Sequence, residues 1–128
     1  MDRLYCYGSL RVGEYNYRRF KDHFNDEFQY EKTIRLKGFA LYGVLGIPYP
    51  FVVRTHDNDD SIEVDVMKSS DNCSNVISQM EQGAGYIALG VDGGTVYAYA
   101  TEEKLPKGYF KIPSGNWLEY QRENKISK

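Results

Sequence analysis

The segment that decides how this chain folds is Tyr7-Gly8-Ser9-Leu10-Arg11. It follows the apolar run from Leu4 to Tyr7, whose pattern predicts a short buried strand. Glycine permits backbone conformations in which successive N–H groups close on a small anion. A strand that ends in such a loop and continues into a helix is a common way to build a ligand site. An ordinary turn is the alternative, because Gly-Ser after a strand often marks one.

The pattern on either side of this loop predicts an α+β fold. A first helix is expected to begin near Asn16, a good N-cap, and a second to begin after Ser70 and end at Gly83. Strand patterns follow at 33–42, 49–53, 62–66, 86–91 and 95–100, the last two joined by the hairpin signal Asp92-Gly93-Gly94. A phase change near Gly38 predicts a bulge, and Pro50 predicts an edge strand or a strand start. About six or seven strands and two main helices favour a small closed or nearly closed mixed β-barrel.

Length and charge restrict the possible classes of function. The 128 residues suit one domain, 1–128, with a real core. A net charge of −2, from 16 basic and 18 acidic side chains, offers no broad positive face, so we expect no nucleic-acid partner. The 12 tyrosines suit half-buried strands, although a barrel that stacks oligonucleotide bases on them is an alternative. No stretch reaches membrane-spanning length and no signal peptide is visible, so we expect no membrane contact and a cytoplasmic location.

The sequence offers few groups for metal or cofactor chemistry. His23 and His56 have no partner at metal-ligand spacing, so no metal site is expected. No phosphate-binding loop or dinucleotide fingerprint occurs, and no cofactor is expected. The two cysteines, Cys6 in a strand pattern and Cys73 in a helical one, do not define a disulfide framework.

Glu81 is the candidate catalytic residue. It lies one turn after Ile77 and beside Met80, so it borders the apolar stripe of the second predicted helix. Partial desolvation and the negative end of the helix dipole would both raise its pKa and make it a better proton acceptor near neutral pH. A glutamate at a helix end with its carboxylate in water is the alternative interpretation.

The order of the motifs resembles the γ-glutamylcyclotransferase superfamily, most closely its small members related to γ-glutamylamine cyclotransferase. The similar segments are Tyr7 to Arg11 with Gly13 and Asn16, Gly38 to Val53, Ile62 to Met67, Met80 to Gly83 with Tyr86, Thr95 to Tyr99, and Ser114 to Trp117. This chain has Ser78 where the family often has an acidic residue, and Ala88 where it often has an arginine.

The resemblance implies an enzyme that releases 5-oxoproline. The α-amine of a small-molecule γ-glutamyl substrate attacks its own γ-carbonyl, Glu81 moves the proton, and an amine or amino acid leaves. Substrate-binding roles are implied for the opening loop, namely for Tyr7, Gly8, Ser9, Leu10 and Arg11. The departures at Ser78 and Ala88 motivate the alternative, a non-catalytic member that binds a small ligand or a protein partner. The leaving group and the oligomeric state are not determined by the sequence.

Overall fold

The computed structural model describes residues 1–124, and within that range the chain forms eight β-strands and three α-helices. The strands are Asp2–Cys6 (β1), Phe28–Lys37 (β2), Phe39–Val44 (β3), Ile47–Arg54 (β4), Ser61–Ser69 (β5), Ile87–Val91 (β6), Gly94–Ala98 (β7) and Tyr109–Lys111 (β8). The helices are Tyr15–Phe24 (α1), Asp71–Gly83 (α2) and Trp117–Asn124 (α3). The predicted α+β class is confirmed.

The strands form two sheets and not the closed or nearly closed barrel that the sequence predicted. Five strands pair in the order β2-β5-β1-β7-β6, and three pair in the order β4-β3-β8. All the pairings within the sheets are antiparallel except that of β1 with β7. An isolated parallel bridge between Val53 and Tyr99 joins the smaller sheet to the segment after β7. The sheets therefore touch without closing, and each keeps two edge strands.

Gly38 marks the passage of the chain from one sheet to the other. Its φ of +85° lies in the left-handed region that favours glycine, and its carbonyl accepts hydrogen bonds from the N–H groups of Thr55 and His56. The expected bulge at this position is wrong, because the change of phase reflects a change of sheet. The bulge in β2 lies instead between Tyr30 and Lys32.

Two of the helices differ from the prediction. Helix α1 begins at Tyr15, so Asn16 is not its N-cap but a residue of its first turn, and its side chain is bonded to the opening loop. Helix α3 was not predicted, because its apolar residues are too few for a clear helical period. Its first turn is nevertheless capped, since the N–H of Glu119 donates to Oδ1 of Asn116.

Residues from both sheets share one buried cluster. It includes Tyr5 and Val64 of the larger sheet and Phe39, Leu41 and Val52 of the smaller one. A second cluster lies where α1 and α2 cover the larger sheet, and Cys73 and Ile77 of α2 are fully buried in it. Burial of an apolar side chain contributes about 1.5–3 kcal/mol. These contacts therefore hold α2 firmly against β1.

A buried ion pair attaches the loop after β1 to β5. Arg11 is only 4% exposed, and its Nη2 atom donates to Oδ1 of Asp65 at 3.2 Å and to Oε2 of Glu63 at 2.8 Å. Its Nη1 atom donates to Oδ1 of Asn116 at 3.3 Å, just before α3. Burial acts to lower the pKa of Arg11, but the hydrogen bonds to Asp65 and Glu63 raise it overall, so the guanidinium stays charged.

Asp65 completes this network from the other side. Its Oδ2 atom accepts the backbone N–H of Val12 at 2.9 Å, and its Oδ1 atom accepts the hydroxyl of Thr33 at 2.7 Å. The carboxylate thus binds the loop through a side chain and through the backbone. It also joins β5 to β2, where its partner in the ladder is Thr33.

The substitution Asp65→Ala is expected to destabilise the protein strongly. It leaves the buried guanidinium of Arg11 with less negative charge and removes the acceptor of the Val12 N–H, and breaking a buried pair typically costs about 3–5 kcal/mol. The free energy of unfolding is measured by urea denaturation. Asp59→Ala, in an exposed turn, is the control and should change that free energy by less than about 0.5 kcal/mol. Equal effects of the two substitutions would contradict the assigned role.

Candidate functional site

A cavity of about 410 Å³ lies where the loop after β1 faces the C-terminal end of α2. Strand β4 and the region of Tyr86 form further parts of its wall. Its walls are mostly apolar. The residues that line it are Leu4, Tyr5, Cys6, Tyr7, Gly8, Ser9, Leu10, Asn16, Tyr49, Pro50, Ile77, Met80, Glu81, Ala84, Tyr86 and Tyr97.

Glu81 is the acidic side chain in this lining. Ser70 caps the start of α2, because its side chain accepts the N–H of Cys73 at 3.2 Å. From this start, Ile77 faces the core, and Glu81, one turn later, reaches the cavity. Burial raises the pKa of Glu81 from 4.5 to about 7, because the charged form loses its hydration. The carboxyl group is therefore able to gain and lose a proton near neutral pH.

The other acidic protons of the cavity are held more tightly. Burial raises the pKa of Cys6, Tyr7 and Tyr86, and the negative charge of Glu81 adds to the increase in each case. These three groups stay neutral around pH 7. Because the charge of Glu81 raises the pKa of all three groups, the three lie close to its carboxylate.

Two tyrosines give the cavity a fixed wall. The hydroxyl of Tyr7 donates to the carbonyl of Tyr97 at 2.6 Å, and that of Tyr86 donates to the carbonyl of Pro50 at 2.7 Å. Because both hydroxyls bond to backbone, their rings have a fixed orientation. The N–H of Tyr86 also donates to the carbonyl of Glu81 at 3.1 Å, so the ring and the carboxyl group are positioned together.

The glycine loop, Gly8-Ser9-Leu10, lines the same cavity as Glu81. The carbonyl of Gly8 accepts the N–H of Arg11 and the carbonyl of Ser9 accepts the N–H of Tyr17, each at 3.0 Å. Among the loop hydrogen bonds within residues 1–124, none uses the N–H of Gly8, Ser9 or Leu10 as donor. The loop therefore uses its carbonyls internally and leaves three donors for a bound group.

The side chains around the loop limit its movement. Nδ2 of Asn16 donates to Oγ of Ser9 at 2.7 Å, which connects the loop to α1. Gly8 packs closely on β4, since a Cβ at this position would lie 3.0 Å from Cγ of Pro50. A side chain at this position would require the ring of Pro50 to shift by a few tenths of an ångström, whereas the φ of Gly8 is not in the left-handed region.

The structure brings most of the candidate site residues together, with one exception. Tyr7, Gly8, Ser9 and Leu10 line the same cavity as Glu81. Arg11 does not belong to the lining and lies in the buried network with Asp65.

The two positions at which the chain departs from the family's pattern also lie outside the lining. Ser78 is half-buried on α2, and Ala88 is exposed on β6.

Several lining residues were not among the sequence candidates. Tyr49 and Pro50 come from β4, Met80 from α2, and Tyr97 from β7. Met80 adjoins Glu81 in sequence, and this proximity was a usable signal. Tyr49 and Tyr97 carried none, because strand pairing alone brings them to the cavity.

Two further observations concern the described part of the chain. No helix within it is long and apolar enough to cross a membrane. Residues 1–124 also contain no group of three or more His, Cys, Asp or Glu side chains arranged to hold a metal ion.

Comparison with solved structures shows that this fold is widespread. The uncharacterized protein PH0828 from Pyrococcus horikoshii shares 20% identity with a TM-score of 0.74, and the match covers 98% of this chain and 97% of that chain. YkqA from Bacillus subtilis shares 25% identity with a TM-score of 0.69, over 99% of this chain and 43% of that chain.

Part of a much longer enzyme has the same fold. Allophanate hydrolase from Kluyveromyces lactis matches with 15% identity and a TM-score of 0.74, over 96% of this chain but 21% of that chain. Likeness at this level of identity shows the fold alone.

The family assignment comes from the sequence itself. No curated protein matches the chain. Residues 4–119 match the family model described as gamma-glutamyl cyclotransferase, AIG2-like. Because this match spans most of the chain, the protein belongs to the AIG2-like gamma-glutamyl cyclotransferase family.

Proposed function

We propose that this protein is a γ-glutamyl cyclotransferase that converts a small γ-glutamyl compound into 5-oxoproline and a free amine or amino acid. One observation carries the proposal. The carboxyl group of Glu81 has a pKa raised to about 7, and it shares a cavity with Gly8, Ser9 and Leu10, whose N–H groups have no acceptor in the loop. Membership of the AIG2-like gamma-glutamyl cyclotransferase family supports the same class of reaction.

The reaction is intramolecular, so the protein has to position one molecule and move protons. The neutral form of the substrate α-amine attacks the γ-carbonyl carbon with its lone pair, and the nitrogen gives one of its two protons to the carboxylate of Glu81. The carbonyl π electrons move to oxygen and then return as the bond to the leaving nitrogen breaks. Glu81 returns the proton to that nitrogen, so no net proton is consumed.

The proposed role of the glycine loop is to stabilise the negative charge that the reaction places on the γ-carbonyl oxygen. The N–H groups of Gly8, Ser9 and Leu10 are donors with no loop acceptor of their own. Fixed dipoles of this kind, aimed at the position where negative charge develops, stabilise an oxyanion without having to reorganise during the reaction. The same donors suit a substrate carboxylate.

The remaining candidates have supporting roles. Tyr7 is proposed to form a wall against the substrate, because its hydroxyl is already bonded to the carbonyl of Tyr97. Arg11 is proposed to act from outside the cavity, by holding the loop through Asp65.

The substitution Glu81→Gln is expected to lower turnover by roughly 10²–10⁴-fold, the usual range for loss of a general base. The amide has nearly the same shape but does not accept the proton. A panel of γ-glutamyl compounds with different leaving groups is assayed for 5-oxoproline, first with the unaltered protein and then with the variant.

The matched control is Glu123→Gln, which makes the same chemical change at an exposed position on α3. It should leave turnover unchanged. Unaltered turnover in Glu81→Gln would overturn the role assigned to this residue. Absence of product from every compound, together with a rise in Tm on adding one of them, would favour the non-catalytic binding alternative.

The raised pKa of Glu81 also predicts how stability depends on pH. A carboxyl group whose pKa is higher in the folded state contributes its full stabilisation below the pKa of the unfolded state, which is 4.5 here. This stabilisation is lost as the pH rises to about 7. The loss approaches roughly 3 kcal/mol, at about 1.4 kcal/mol for each pKa unit. Glu81→Gln has no such loss, so it should gain stability relative to the unaltered protein between pH 4.5 and pH 8.

Urea unfolding of both proteins at several pH values measures this difference, and it does so without any substrate. The other titrating groups are common to both proteins and cancel in the comparison. A constant difference across this range would mean that the carboxyl group of Glu81 is solvated in the folded protein.

A further inference from the structure

The two open sheets leave four edge strands, and three of them carry features that prevent pairing with another chain. Strand β4 contains Pro48 and Pro50, which have no N–H to donate. Strand β8 has only three residues and ends in Lys111. Strand β2 has a bulge after Tyr30 and a high density of charged side chains.

The fourth edge, β6, has none of these features. Its sequence is Ile-Ala-Leu-Gly-Val, without a charge, a proline or a bulge. Within residues 1–124, no backbone hydrogen bond from another segment reaches its outer side. Ile87 is 42% exposed, and Ala88 and Gly90 are exposed as well. An uncharged, regular edge strand of this kind is a template for strand addition.

The hairpin determines which backbone groups of β6 face outward. A two-residue turn, Asp92-Gly93, joins β6 to β7, so the flanking residues Val91 and Gly94 exchange both hydrogen bonds. Bonding alternates along the strand from that point. Ala88 and Gly90 therefore direct their N–H and C=O groups away from β7, and these four groups have no partner in the described chain.

We propose that β6 pairs antiparallel with β6 of a second copy of this chain, around a twofold axis at Leu89. In this register Ala88 lies opposite Gly90 of the partner subunit, and the two pairs exchange four backbone hydrogen bonds. Leu89 lies opposite its own copy, and Ile87 lies opposite Val91 of the partner subunit. The two five-stranded sheets then form one continuous sheet of ten strands.

A second copy fits this edge better than an unrelated strand does. Twofold pairing places the strand against its own copy, so a charged residue on β6 would lie near the same charge on the other chain. The strand has no charge, and every cross-strand pair in the register is apolar or small. Gly90 and Ala88 add no bulk on the opposite face, so the backbones are free to approach. This proposal does not depend on the proposed function.

The test is the mass of the protein in solution, measured by light scattering and by sedimentation. The unaltered protein should have twice the 14.8 kDa mass of one chain. Ala88→Lys places like charges next to the axis, and Gly90→Pro removes an outward N–H, so both variants should be monomers. The control Gln29→Lys adds the same charge to the protected edge strand β2 and should remain a dimer.

Each outcome bears on the proposal. A monomeric unaltered protein at about 100 μM, where specific dimers are populated, would overturn the proposal, and so would a dimer that persists in Ala88→Lys. Because Ala88 is exposed, its variant is expected to fold, and circular dichroism checks this; if Gly90→Pro does not fold, Ala88→Lys decides.

Leu89→Cys tests the register separately. Opposed residues in a pair without mutual hydrogen bonds have Cα atoms about 4.5 Å apart, within the range of a disulfide. Mild oxidation should therefore link two chains of Leu89→Cys, while the unaltered protein, whose Cys6 and Cys73 are buried, should stay unlinked. A dimer that does not form the link would show that the axis lies elsewhere.

Discussion

The buried ion pair between Arg11 and Asp65 is the constraint on which the candidate site depends. Removing two charges from water costs several kcal/mol for each ion, and the cost is offset only by good geometry and additional hydrogen bonds. Here the additional partners are the Val12 N–H, Thr33 and Glu63, so any displacement of the loop leaves a buried charge unpaired. The loop after β1 is thereby held in one conformation, with Gly8, Ser9 and Leu10 in the lining of the cavity.

The second constraint is the burial of Glu81. Near neutral pH, where the carboxylate is proposed to act as a base, its burial lowers the stability of the folded protein. Helix α2 is held down by Ile77 and Cys73, and this packing carries the carboxyl group at its last turn into an apolar cavity. The charged form loses hydration, which raises the pKa of Glu81, whereas the guanidinium of Arg11 is bound by Asp65 and Glu63. A positive side chain beside Glu81 would stabilise the charged carboxylate, but it would also lower the pKa and make the carboxylate a weaker base near neutral pH.

The chain passes from one sheet to the other at Gly38, and the division into two sheets has consequences at the edges. Gly38 allows the chain to leave the larger sheet after β2, so β3, β4 and β8 pair among themselves. An unclosed pair of sheets retains edges that a barrel would remove. Three of these edge strands carry prolines, a bulge, charges or a short length, which disfavour pairing with another chain, whereas β6 has none of these features. The same arrangement brings Tyr49 and Pro50 of β4 to the cavity, so the open architecture also forms the site.

The sequence by itself determined the elements with strong local signals. These include the strand and glycine loop at the start, the Ser70 cap of α2, the hairpin at Asp92-Gly93 and the placement of Glu81 on the border of an apolar stripe. Each depends on contacts within a few residues, and such contacts are visible in a linear pattern. Tertiary structure alone decided that the strands form two sheets, that Arg11 is buried away from the cavity, and that Tyr97 and Glu81 line the same cavity. Those outcomes depend on pairing between distant segments and on the cost of burying charge, which no local pattern records.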